Sequence, residues 1–479
     1  MKRRKKLWIM SGVLILALVL TLSVALIDHK MEKIQESGEV ILQVSPDTVT
    51  ALSWNHEGET LSFTKDDSWH YAGDEEFPVS AEKLEDMLEA FNGLAAAFRI
   101  EEVEDYGQYG LETPVCTIDF TAGDQSYQVK LGDYSKMDDQ RYVDIGDGNV
   151  YLVLQDPMME FDLGIRSVID NDRVTYLDQA KKITFTGEES YTILREPENG
   201  SSHREEDLYF AQKDGKLLPL DTTRVEDYLS NLTLMELTDY QSYTASQEDL
   251  TKYGLDQPEL TVQVEYEKLD RGEPTGETET ATIYIGRNQE ALQTYEEQLQ
   301  KEETPEPVPA YARVGDSEII YELLISDYDR SAAYRYDDLR HQEVFPANTE
   351  DVMAMDIQLD GSTYRLEGKE EEDIVTFSYE GQEMDISQIL TGIRSLHADE
   401  FTDQAPDGKL ELKLTATLKD GSQVILELYR KDGEKCLAKV DGQSLALLPR
   451  TQVVDLMEMI NSIVLNPVEV PETTEEAAE

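Results

Sequence analysis

The sequence predicts an α+β protein: an N-terminal transmembrane helix, then tandem repeats of antiparallel-rich sheet units, each with one or two packed helices. Three observations carry that expectation. A six-residue phrase occurs twice, Tyr109-Gly110-Leu111-Glu112-Thr113-Pro114 and Tyr253-Gly254-Leu255-Asp256-Gln257-Pro258. Three segments open on the same pair of alternating apolar strands about a glycine-containing turn. Residues 7–27 form a 21-residue run without charge, set behind a basic hexapeptide.

The basic segment, residues 1–6, and the apolar run decide topology. At about 1.5 Å per residue the run spans a hydrocarbon core about 30 Å thick. Lys2-Arg3-Arg4-Lys5-Lys6 precedes it and Asp28 follows, so the positive-inside rule places the N-terminus in the cytoplasm and the rest outside the cell membrane. Ser23-Val24-Ala25 has the small-x-small form of a signal-peptidase site, but the run exceeds a typical signal core, and a retained single-pass anchor is expected. No cysteine near it would suit a lipoprotein. Residues 28–41 are polar, with Met31 and Ile34 at helical spacing, and are expected to form a stalk.

Three units are expected next: residues 42–174, residues 175–343, and a divergent third over residues 344–465. Each opens on a hairpin. Val49, Leu52 and Trp54 lead to Leu61 and Phe63; Ile183 and Phe185 to Tyr191 and Ile193; Met355, Ile357 and Leu359 to Tyr364 and Leu366. Alternation about a glycine turn is the signature of two paired, half-buried strands. A third short strand follows in each unit, then a helix start at Ser80, Asp221 or Asp385, side chains able to accept from free backbone N–H groups. Leu84, Met87, Leu88, Phe91 and Leu94, then Val225, Tyr228, Leu229 and Leu232, then Ile386, Ile389, Leu390, Ile393 and Leu396 give those helices one apolar face.

The repeated phrase reads as a corner between a helix-like stretch and a strand. Glycine at its second position admits a positive φ, and the proline sets its predecessor extended. Tyr109, Gly110, Leu111 and Pro114, with Tyr253, Gly254, Leu255 and Pro258, are therefore shape-determining residues. The third unit lacks the phrase and has Ala405-Pro406 near its place. Further strands match between units: Val129-Lys130-Leu131-Gly132 with Ile283-Tyr284-Ile285-Gly286, and Tyr142-Val143-Asp144-Ile145-Gly146 with Tyr311-Ala312-Arg313-Val314-Gly315. Terminal helices are expected at 156–170, 326–339 and 453–463. Two inserts lengthen the second unit, 268–280 and 288–309; rich in Glu, Gln, Thr and Pro, they are expected to be long hairpin loops. The acidic tail, residues 466–479, is expected to be disordered.

The repeated corner, the glycines ending matched strands and the basic-plus-apolar N-terminus together resemble a bacterial family, domain-of-unknown-function family 4340. The resemblance implies membrane-anchored envelope proteins built of tandem α+β repeats. It also implies an accessory role beside an ABC-type permease and gliding-motility-like transporter subunits, and it brings no catalytic residue.

Charge narrows the partners. The chain has 42 Lys+Arg against 100 Asp+Glu, a formal charge of −58, and five of those bases lie in the first six residues. Such a field repels phosphate backbones, so nucleic acid is excluded as a partner. No two of the six histidines stand at the i, i+4 spacing of a helical metal site. Ser80-Ala81-Glu82-Lys83 has the Ser-x-x-Lys form of an acyl enzyme, but no Lys-Thr-Gly accompanies it and the second unit has Asp221 at the same place, so Ser80 is read as a cap. Asp138-Asp139, Asp170-Asn171-Asp172 and 370–373 lack the ligand alternation of a strong calcium loop. Cys116 and Cys436 fall on apolar strand positions and are expected to be buried thiols. No enzyme and no cofactor is expected; the sequence reads as an extracytoplasmic scaffold, with a binding module for cations or cell-wall material as the alternative.

Overall fold

The computed structural model describes residues 38–465 apart from Glu57, Gln179, Asn199, Asp214, Gly272, Glu302, Glu372 and Asp373. The expected anchor at 7–27, most of the expected stalk and the expected tail at 466–479 lie outside the described residues. No helix among the described residues is long and apolar enough to cross a membrane. The chain divides into two compact units, one ending at Asp172 and one beginning at Arg173.

The first unit is one antiparallel sheet of β1 (Glu39–Gln43), β2 (Val49–His56), β3 (Glu59–Lys65), β4 (Trp69–Tyr71), β5 (Asn92–Ile100), β6 (Cys116–Ala122), β7 (Gln125–Ser135), β8 (Gln140–Asp144) and β9 (Val150–Val153). Its order is β1-β5-β9-β8-β7-β6-β2-β3-β4. Helix α1 (Ala81–Leu88) lies between β4 and β5 in the chain and buries Leu84, Met87 and Leu88. The stretch read as stalk ends differently from expectation: Glu39, Val40 and Ile41 belong to β1, which pairs with β5. The helix expected at 156–170 is broken into α2 (Met158–Phe161) and a 3-10 turn (Ile165–Val168). Asp162, the C-cap of α2, and Gly164, the N-cap of the turn, separate the two pieces. Alternation on β2 and β3 buries Leu52, Trp54, Leu61 and Phe63. Trp54 stacks on Phe63 at 5.3 Å and meets Phe161 edge-on at 5.8 Å, while its indole N–H donates to Leu163 O at 3.0 Å.

The second unit holds two sheets. One comprises β10 (Ala180–Gly187), β11 (Tyr191–Arg195), β12 (Tyr209–Lys213), β13 (Lys216–Pro219), β14 (Tyr240–Ser242), β15 (Leu260–Asp270), β16 (Glu273–Arg287), β17 (Ala310–Val314) and β18 (Ile320–Leu323), in the order β13-β12-β11-β10-β15-β16-β17-β18-β14. The other comprises β19 (Val352–Leu359), β20 (Ser362–Glu371), β21 (Ile374–Tyr379), β22 (Gln382–Met384), β23 (Glu400–Phe401), β24 (Leu410–Leu418), β25 (Gln423–Arg430), β26 (Lys435–Val440) and β27 (Gln443–Pro449), in the order β22-β21-β20-β19-β24-β25-β26-β27-β23. Strand for strand, these two orders are the same. The first sheet shares eight of the nine places; it has β1 as an extra edge and only an isolated Tyr71–Asp74 bridge where β13 and β22 stand.

Helices α3 (Thr222–Thr233) and α7 (Ser387–Arg394) occupy the place of α1. The other helices of this unit are α4 (Gln247–Lys252), α5 (Gln289–Gln300), α6 (Ile325–Ser331) and α8 (Arg450–Leu465). The helix expected at 326–339 is α6 followed by a separate 3-10 turn (Tyr336–Leu339). The core around β10 is aromatic, with Phe185 stacked on Tyr191 at 4.6 Å and 5.5 Å from Tyr228. The core of the last sheet is aliphatic, with Leu412, Leu414 and Ala416 alternating along β24 under Ile389, Ile393 and Leu456.

The first insert is a hairpin, as expected, but an ordered one, and the second opens on a helix before running on without regular structure over residues 303–309. Residues 268–280 continue β15 and β16 as a hairpin paired from Leu260–Ile285 out to Asp270–Glu273. Neighbouring strands stop earlier, β10 at Tyr266 and β17 at Ile283, so the ribbon projects from the sheet. Its polar side chains pair across the strands, as in Lys268–Glu279 at 2.9 Å. Residues 288–309 begin with α5, capped by the Asn288 side chain accepting from Ala291 N at 2.8 Å.

The two sheets of this unit are joined through the 201–207 loop. His203 forms a parallel bridge with Ala347, Arg204 Nη2 donates to Phe345 O at 2.9 Å, and Asn348 Nδ2 donates to Glu206 Oε2 at 3.1 Å. Val344 and Phe345 are buried at this joint.

Candidate functional site

The eight residues singled out by the repeat form two corners, each within its own sheet. In the first, a 3-10 turn (Tyr106–Tyr109) is capped by Asp105, whose carboxylate accepts from Gly107 N at 2.8 Å. Gly110 follows at φ +70°, Leu111 N closes back to Tyr106 O at 3.0 Å, and Leu111 is buried. In the second, α4 carries a Ser246–Asp249 capping box, Gly254 stands at φ +72°, Leu255 N closes to Leu250 O at 2.7 Å, and Leu255 is buried. Tyr109 packs on Tyr142 at 5.0 Å, and Tyr253 on Tyr311 at 4.5 Å. Pro114 and Pro258 are half-buried and precede β6 and β15.

Close backbone approach explains the glycines. A Cβ on Gly132 would collide with Tyr109 O, and one on Gly286 with Gly254 O; a Cβ on Gly254 would in turn strike Arg287 O. The corner thus sits directly on the end of the second strand of the following hairpin, β7 or β16, and both partners must lack a side chain there. The third sheet keeps this approach without the phrase: a Cβ on Gly408 would collide with Arg430 O at the end of β25. Sequence reasoning missed Gly408, and the signal that pointed to it was its position just ahead of a strand.

Beside the second corner lies an open groove of about 560 Å³ lined by Pro258, Glu259, Arg287, Tyr328, Glu188 and Arg335. Its charges are mutually satisfied. Arg287 Nε lies 3.1 Å from each oxygen of Glu259, its guanidinium lies over the Tyr328 ring at 4.6 Å, and the Tyr328 hydroxyl donates to Glu259 at 2.9 Å. Arg335 pairs with Glu188 at 2.9 Å. Burial, reinforced by the Glu259 carboxylate, pushes the Tyr328 phenol up to about 12. It therefore stays protonated and acts as a hydrogen-bond donor.

Other nucleophile candidates among the described residues are engaged in structural contacts or buried. Burial pushes the Cys116 thiol up to about 11 and the Cys436 thiol to about 12, far above the range of a reactive thiolate. Both are buried and free. Ser80 caps α1 by accepting from Lys83 N at 3.3 Å. Ser202, Asp207 and His341 form a chain in which the Ser202 hydroxyl donates to Asp207 at 2.5 Å and His341 Nε2 lies 2.8 Å from the other oxygen of Asp207. A catalytic triad needs the imidazole between hydroxyl and carboxylate. Here the carboxylate is in the middle, so the order is not that of a triad, and His341 ties the 201–207 loop to Asp221 at the start of α3, from which it lies 3.9 Å.

No group of three or more His, Cys, Asp or Glu among the described residues is arranged to hold a metal ion. The acidic clusters are drawn into local contacts: Asp138 accepts from Ser135, Asp139 from Tyr134, Glu370 pairs with Lys419 and Glu371 with Lys369.

No curated protein and no solved structure matches the chain. One family model, described as a domain of unknown function, matches twice, over residues 69–241 and 212–414. Each match starts at the third strand of a sheet or within it, β4 or β12, and runs into the following repeat, out of phase with the sheets themselves. Two tandem matches that together span most of the chain establish that the protein belongs to the DUF4340 family.

Proposed function

We propose that this protein is a non-enzymatic scaffold, held in the cell membrane by residues 7–27 with its N-terminus in the cytoplasm and its repeats outside. There it serves as an accessory subunit of an ABC-type transport system. The observation that carries this reading is the recurrence of one strand order, complete in two sheets and in eight of nine places in the first, with the ionisable groups beside the second corner spent on pairing with one another. Repetition of a rigid frame multiplies surface for partners, and contact surfaces gain affinity from a fixed backbone that orders little on binding. The projecting ribbon at 267–281 and helix α5 add loop-derived surface to one repeat only, as expected where a partner must distinguish repeats.

Affinity isolation of the full-length chain from membranes in mild detergent tests the reading. Steady recovery of a permease and an ATPase in fixed ratio is expected; recovery of the chain alone would refute the transporter assignment. Protease added to intact cells stripped of their wall should degrade the repeats. Protection of the repeats would refute the topology.

A further inference from the structure

The second unit contains a cleft of about 710 Å³ between its two sheets, separate from the corner and its groove. That is within the range of small-ligand sites, roughly 300–1,000 Å³. One wall is the β12–β13 hairpin, where Lys213 and Lys216 are direct cross-strand partners. Like charges placed opposite each other on a hairpin are destabilising. In a chain with 100 acids to 42 bases, such a pair would readily be neutralised if it served shape alone. Yet among the described residues neither lysine has an acidic partner: Lys213 Nζ lies over the Tyr336 ring at 4.2 Å, and Lys216 Nζ is 3.5 Å from Gln443 Oε1.

The other wall belongs to the last sheet and has the opposite sign. It presents Asp403 and Asp441, and among the described residues neither carboxylate pairs with a cation; Asp441 accepts only from Ile425 N at 2.8 Å. Both walls also carry apolar surface, Leu218 beside the lysines and Leu445 and the ring of Phe401 on the opposite side, with Ser202 and His203 among the polar groups that complete the lining. Arg340 packs on Phe401 at 3.7 Å and is neutralised by Asp337 at 3.0 Å, so among the described residues the lysine pair and the two aspartates are the charged groups of the cleft without an ion-pair partner.

We propose that this cleft binds a short zwitterionic peptide, its free carboxylate against Lys213 and Lys216, its ammonium group against Asp403 and Asp441, and its apolar side chains over Phe401, Leu218 and Leu445. Net charge selects this class. An anionic ligand would meet only the lysine wall and be repelled by a chain of formal charge −58. A cation would have no use for the lysines, and every acidic patch on the surface would compete for it. A ligand with both charges and none net uses both walls and escapes the long-range repulsion. The inference is independent of the transporter reading and stands or falls separately.

Calorimetric titration of the full-length chain with leucyl-phenylalanine, its N-acetyl form and its C-terminal amide tests the charges without altering the protein. The free dipeptide should bind, and each blocked form should bind about tenfold more weakly or worse, the value of one charge-assisted hydrogen bond. K213Q/K216Q should weaken the free dipeptide to the level of the amide and leave the amide unchanged; D403N/D441N should do the same with respect to the acetyl form. All four positions are exposed or half-buried, and Asn at 441 keeps both the acceptor oxygen and the positive φ. Absence of heat at millimolar free dipeptide would overturn the proposal. So would equal affinity of all three ligands, or a lysine variant that weakens the amide as much as the free form.

Discussion

Replacing Gly110 by alanine isolates what the repeated corner does, because Gly123 in the same unit supplies a matched control. Both glycines have positive φ, +70° and +58°. An L-residue in that region costs about 1–2 kcal/mol, and Gly123→Ala should lose that alone, since nothing lies within 4 Å of the added Cβ. At Gly110 the Cβ would lie 2.8 Å from Asp133 N and 2.6 Å from Asp133 Cγ. Asp133 is backbone of β7, so relief requires moving the strand that carries buried Leu131. Such overpacking costs about 1–3 kcal/mol more. Gly110→Ala should therefore lose about 2–5 kcal/mol, with a midpoint temperature roughly 5–10 °C below that of the control variant. Tryptophan fluorescence is the assay. Of the three tryptophans, Trp54 and Trp69 are buried in the first unit, Trp8 lies outside the described residues, and the second unit has none. Equal melting shifts for the two variants would refute the reasoning, because they would show that the corner carries only a local φ preference.

Gly254→Ala should destabilise the second unit by a comparable or larger amount, read by far-UV circular dichroism, while the tryptophan transition of the first unit stays in place. Leu255→Ala empties a buried corner position and should cost about 2–5 kcal/mol in the same circular dichroism assay. Burial disfavours ionised Glu411, but Arg450 and Arg430 outweigh it and hold its carboxyl below the ordinary value of 4.5. A depressed folded-state value means the stabilisation is complete above about pH 4.5 and lost as the pH falls through the lower folded value; Glu411→Gln should flatten that part of a pH–stability curve. Cys116 and Cys436 should resist a thiol-modifying reagent at pH 8 in the native chain and react fully in denaturant, since both thiols are buried and titrate at about 11 and 12.

Legibility in the sequence followed the physics of half-buried elements. Leu52 and Trp54, or Met355 and Ile357, alternate because one face of each strand meets a core, and those hairpins could be read directly. The corners were legible because Gly110 and Gly254 are fixed by backbone approach that no other residue permits. The ribbon at 267–281 was illegible: Thr278, Glu279 and Thr280 are exposed together, so no period of two is written into them. Helix α5 was hidden by the Glu/Gln-rich composition of its segment, although Asn288 as a cap and the spacing of Ala291, Leu292 and Tyr295 along one half-buried face carried the information. Strand β1 merged with a polar stretch because five residues are too few to show a period. The cleft escaped notice because Lys213 and Asp403 are brought to it by different sheets, and that juxtaposition has no local spacing.

The phase offset between family matches and sheets bears on how the chain should be divided for experiment. A fragment trimmed to residues 69–241 would start at β4, stripped of the two strands beside which β4 and β6 are laid, and would stop at β14 before its partner β18 had been made. It would carry raw hydrogen-bonding edges from two unfinished sheets, the usual template for aggregation. Cutting after Asp172 leaves every ladder whole. Inheritance by homology and folding autonomy therefore have different borders in this protein.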